Sequence, residues 1–112
     1  MAERRARRTV KIHDVTMSGV SLEVTFEDVD LRGTCDEEVQ TLLEDCGAEA
    51  EYLQVLRGGR EVVVVGPPFR DIGKAREWLE KLTKAIRLGE ERVRELEKVK
   101  ESFSVLCGER EL

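Results

Sequence analysis

The stretch Tyr52-Leu-Gln-Val-Leu-Arg-Gly-Gly-Arg-Glu-Val-Val-Val-Val65 decides the fold. Two apolar runs flank Arg57-Gly-Gly-Arg60, and a Gly-Gly pair readily takes the positive φ of a hairpin turn. Four consecutive valines predict a strand covered on both faces, hence a central strand or one buried by a partner. Gly66-Pro67-Pro68 ends it, because proline cannot donate to a ladder. Toward the N-terminus, Val20, Leu22, Val24 and Phe26 alternate with Ser21, Glu23, Thr25 and Glu27, the period of a strand with one buried and one wet face. Val10 and Ile12 alternate in the same way ahead of a turn at Ser18-Gly19, so a first hairpin precedes, with Val29 and Leu31 expected to extend its second strand as far as Gly33.

Between the hairpins, Thr34-Cys-Asp-Glu37 reads as a capping box with Thr34 as N-cap. Val39, Leu42, Leu43 and Cys46 then keep helical spacing, and Gly47 stands where a helix ends in the left-handed conformation. After the second hairpin, Ile72, Ala75, Leu79, Leu82 and Ile86 recur at alternating spacings of three and four. Val93, Leu96, Val99, Phe103 and Leu106 continue the stripe beyond an interruption at Leu88 and Gly89. The expected class is α+β, an antiparallel sheet of two hairpins in ββαββα order with a long C-terminal amphipathic helix. Residues 1–8, with four Arg against one Glu, read as a disordered basic arm, residues 9–88 as the α+β domain and residues 89–112 as a helical C-terminal extension. Either Gly89 breaks the helix and the second half folds back, or one helix of about 50 Å outreaches the core of so small a domain.

Composition narrows the classes. A chain of 112 residues suits one domain. It has no apolar run of membrane-spanning length and no apolar segment behind the N-terminal arginines, which points to a cytoplasmic protein without a membrane role. Charged residues make up 38%, with no Asn and only Gln40 and Gln54, the pattern of a thermophilic prokaryote. The net charge of −5 is uneven: Asp14 to Glu51 holds twelve acids and one base, Arg57 to the end thirteen bases and eleven acids. Cys35, Cys46 and Cys107 form no CxxC pair, and His13 is the single histidine, so a structural zinc site is not expected. Cys35 and Cys46 fall at opposite ends of one helix, roughly 16 Å apart, too far to bridge.

No segment compels catalysis. Gly66 to Ala75 follows a strand and opens a helix, but its G-x6-GK spacing, its prolines and Ala75 in place of a magnesium-binding hydroxyl depart from a phosphate-binding loop. Cys35 opens a helix, yet Asp36, Glu37 and Glu38 oppose a thiolate, and His13 is the one candidate base. Glu27, Asp28 and Asp30 lack the glycine and closing glutamate of a calcium loop. No catalytic residue, metal or cofactor is assigned.

Residues 21–90 read as strand, helix, hairpin, helix. With Leu56-Arg-Gly-Gly-Arg-Glu-Val-Val-Val-Val65, Arg76-Glu-Trp-Leu79 and Ala85-Ile86, this resembles the small dimer-forming subunit of the KEOPS tRNA-modification complex. That resemblance implies a non-catalytic βαββα protein whose helices and sheet mediate pairing. It covers little more than half the chain, and no site residue is carried over.

The sequence therefore predicts an interaction or assembly protein, a homo-oligomer and most simply a dimer, self-associating through Leu79, Leu82, Ile86, Val93, Leu96 and Phe103 of the last helix. An RNA-binding accessory subunit is the first alternative, with Arg4, Arg5, Arg7, Arg8, Arg57, Arg60, Lys74 and Lys81 on phosphates. Net negative charge and scattered aromatics weigh against it. A small enzyme with an active site built between subunits is the second.

Overall fold

The computed structural model describes the backbone of residues 6–107 and the side chains of residues 6–98. Strands β1 (Arg7–Thr16) and β2 (Gly19–Glu27) form the first hairpin. Helix α1 (Asp36–Asp45) follows, then β3 (Tyr52–Leu56) and β4 (Glu61–Val65), joined by a short 3-10 turn (Arg57–Gly59), then helix α2 (Ile72–Cys107). All pairings are antiparallel, and the strand order is β1-β2-β4-β3. The α+β class and the two hairpins are as the alternation predicts. The four valines belong to a strand held between β2 and β3, so β4 is central.

Both helices cover one face of the sheet. Val24, Phe26, Val62 and Val64 meet Leu42, Leu43, Leu82, Ala85 and Ile86 in a single buried cluster. Trp78 closes one end: its Nε1 donates to the Glu49 carbonyl at 2.8 Å, and its ring tilts against Phe69 at 5.7 Å. The opposite face carries Ser21, Glu23, Thr25 and Glu27 of β2, in register with Val65, Val63 and Glu61 for the last three.

Several expectations need correction. Arg7 and Arg8 are not part of a disordered arm; they open β1, opposite Glu27 and Phe26. The Arg7 guanidinium donates to Glu27 Oε1 at 2.7 Å and Arg8 to Thr83 Oγ1 at 2.9 Å. A local charge count cannot register acids that approach from another strand. Arg4, Arg5 and the rest of residues 1–5 lie outside the described residues, as do Cys107's side chain and the segment after it.

Val29 and Leu31 do not extend β2. Asp28 takes φ 61° and turns the chain out of the ladder. Val29 and Leu31 then plug the core, their amides donating to the carbonyls of Arg60 at 3.1 Å and Gly59 at 2.9 Å. Gly59, at φ +97°, admits this approach: a Cβ there would lie 2.5 Å from the Leu31 backbone. The α1 cap is shifted by one residue, since Cys35 is the N-cap and its amide donates to Glu38 Oε1 at 3.0 Å.

Gly89 does not break α2, which runs unbroken through it. The glycine is where the helix passes closest to its neighbours, and a Cβ would meet Leu31 Cδ2 at 2.9 Å and Leu42 Cδ2 at 3.1 Å. The segment from residue 89 therefore starts inside the packed helix, and Val93 beyond it is still buried. Most of the expected interface belongs to the chain's own core: Leu82 and Ile86 are buried within it, Val93 is covered, and Leu79 is half-buried against it. Leu96 is exposed, and the side chain of Phe103 lies outside the described residues. A stripe at three-and-four spacing looks the same whether its own sheet or another chain covers it.

Gly89→Leu should lower stability by about 1–3 kcal/mol through overpacking, although leucine is the better helix former. Thermal unfolding followed by circular dichroism measures this, and a raised melting temperature would contradict the close approach. Leu82→Ala should cost about 2–5 kcal/mol in the same assay.

Candidate functional site

Apolar side chains left in water mark where a partner can sit, since each forfeits transfer free energy of burial. On α2, Leu96 is 64% exposed. On β1 the register sets Val10, Ile12 and Val15 opposite Val24, Leu22 and Val20, so the three share the face that the helices cover further in. The helices do not reach them: Ile12 is 63% and Val15 65% exposed, and all ten residues of β1 are exposed. The strand is also an edge, with one side of its backbone unpaired by the sheet. Sequence reading placed Val10 and Ile12 in a strand but not at an edge. Alternation was the available signal, and it carries no information on strand order.

Among the described residues, the basic side chains proposed for RNA do not converge. Arg7 is engaged by Glu27, with Asp28 at 3.8 Å, and Arg57 pairs with Glu61 at 2.9 Å. Arg57 and Arg60 sit at the hairpin end of β4, whereas Lys74 lies in the first turn of α2, past the other end of that strand. Lys81 lies over Gly47 at the end of α1. Arg8 alone joins other cations, in a cleft of about 710 Å³ between β1 and α2 that Arg87 and Arg94 also line, together with Glu90, Glu91, Phe26 and Ile86.

Two further clefts separate the remaining reactive groups. One, of about 560 Å³, lies beside the β3–β4 turn and holds Cys35 with Asp36 and Glu37. The other, of about 500 Å³, is on the open face of the sheet and holds His13 with Glu23, Glu51 and Tyr52. The thiol and the imidazole thus line different clefts. Cys35 and Cys46, at the two ends of α1, are both free. Among the described residues no three His, Cys, Asp or Glu side chains gather as a metal site, and no helix is long and apolar enough to cross a membrane.

Asp30 links two elements. Its carboxylate accepts two bonds from the Arg32 guanidinium, at 2.7 and 3.1 Å, and its amide donates to Glu90 Oε2 at 2.9 Å, tying the β2–α1 loop to α2. The Arg32 hydrogen bond holds the Asp30 carboxyl below the usual range against the opposing effect of partial burial, with the charges of Arg32 and Arg94 helping. This is a structural clasp.

No family model, curated protein or solved structure matches the chain.

Because Asp30 titrates lower in the folded chain than its unfolded value of about 3.9, its contribution is present above that value and lost as pH falls through the folded one. Arg32→Ala should therefore reduce stability at neutral pH and converge with the parent in acid. Urea unfolding at several pH values tests this, and a gap independent of pH would contradict a stabilising Asp30–Arg32 pair.

Proposed function

We propose that this chain is a non-catalytic interaction and assembly protein that pairs with a second copy of itself, the part of α2 beyond its own core serving as a contact element. One observation carries the reading: Leu96 stands in water on a helix that continues to Cys107, past Val93, the last buried residue among those described. A helix of 36 residues spans about 54 Å. Among the described residues burial on the helix ends at Val93, and a second chain is the natural cover for Leu96 beyond it. Composition supports a cytoplasmic protein of a thermophilic prokaryote, where association adds to stability.

RNA contact is the second reading, favoured by the cleft where Arg8, Arg87 and Arg94 come together. Glu90 and Glu91 in the same cleft offset much of that charge. An affinity for a single-stranded oligonucleotide that falls steeply with salt would support it; binding indifferent to salt would not.

Light scattering of the full chain should give a dimer, and Leu96→Glu should shift the equilibrium toward monomer without changing the helical content. A monomer at every concentration would overturn the assembly reading.

A further inference from the structure

Deepening the assembly reading, and resting on it, we propose that β1 is a self-complementary docking edge that pairs antiparallel with β1 of a second copy, joining two four-stranded sheets into one of eight. The backbone fixes which groups are on offer. Leu22 accepts from Gly66, and Val20 exchanges two bonds with Phe69, so the even-numbered residues of β2 bond toward β4 and its continuation. The odd-numbered ones bond toward β1, where they face Thr9, Lys11, Asp14 and Thr16. The amides and carbonyls of Val10, Ile12 and Val15 consequently point off the sheet. The Val15 amide confirms this, because it donates to its own neighbour's side chain, Asp14 Oδ1, at 2.9 Å instead of to a strand.

The occupant follows from the match of the edge to itself. The ladder shifts register between Ile12 and Asp14, leaving His13 as an extra residue. Such a bulge ordinarily blunts an edge. Here it shifts parity by one, so that outward-pointing residues on its two sides, Val10 and Val15, can oppose each other across a two-fold axis. That register sets Val10 against the second copy's Val15 on the apolar face and Lys11 against its Asp14 on the polar face. Thr9 falls against Thr16, and every contact occurs twice. β-Branched, opposite-charge and Thr–Thr pairs are the favourable cross-strand combinations. The register that opposes Val10 to Ile12 sets Lys11 against its own copy on the axis, a like-charge clash. This register thus meets both hydrogen-bond matching and charge; it sets Ile12 beside the second copy's His13 at the axis and joins the exposed Val10 and Val15 across it. On pairing, the Val15 amide passes from Asp14 to the Val10 carbonyl of the second copy, freeing the carboxylate for Lys11.

The test is a charge swap on the full chain. Asp14→Lys should raise the dimer dissociation constant about tenfold by setting two lysines together at two symmetric places. Adding Lys11→Asp to it should restore dimerisation, with circular dichroism unchanged throughout. Hydrogen exchange should find the Val10, Ile12 and Val15 amides protected at concentrations where the chain is dimeric and unprotected on dilution. A dimer indifferent to Asp14→Lys, with those amides exchanging freely, would overturn the β1 edge while leaving self-association standing, with the Leu96 surface as its seat. A parent chain that stays monomeric would overturn both.

Discussion

The packing of α2 against the sheet is the constraint on which the other features depend. Leu82, Ala85 and Ile86 of the helix, with Leu42 and Leu43 of α1, cover Val24, Phe26, Val62 and Val64 of the two central strands. The two helices lie over β2, β4 and β3, where even Leu53 of the edge strand β3 is buried, and they leave every residue of β1 exposed. β1 lies at the other margin, where Ile12 is 63% and Val15 65% exposed, and among the described residues no side chain buries them.

The loop between β2 and α1 shows how closely the helix is drawn in. Leu31 fills the angle between Gly59 of the β3–β4 turn and Gly89 of α2, and neither position has room for a Cβ beside it. Asp30 and Glu90 add the polar clasp across the same joint. The region is thus held from the sheet, the turn and the helix at once. This joint holds α2 at Gly89, through which the helix runs unbroken although glycine would cost an isolated helix about 1 kcal/mol. The direction in which the helix leaves the domain, and so where Leu96 is presented, is set there.

The exposed apolar side chains of this chain include Ile12 and Val15 at an edge and Leu96 toward the end of a helix, whereas Cys35 and His13 are dispersed. Cys35 and His13 line separate clefts, and of the described basic residues Arg7 and Arg57 are engaged by Glu27 and Glu61 while Arg8 lines a cleft with Arg87 and Arg94.

The order of elements, the two hairpins, the covered nature of Glu61 to Val65 and the amphipathic character of the last helix were all legible in the sequence, because each depends on a period of two or near 3.6 and on local turn chemistry. Where local signals competed with distant ones, tertiary structure decided. Asp28 turned Val29 and Leu31 out of the strand, acids on β2 gathered Arg7 into one, and Gly89 served close packing instead of a break. Periodicity measures how apolar a face is, but not what lies against it. Leu82, Ile86 and Val93 look like Leu96 along the chain, and Val10 looks like Val24. Which of them meets the core and which meets water depends on strand order and on how far two helices reach, and only the assembled fold contains those distances.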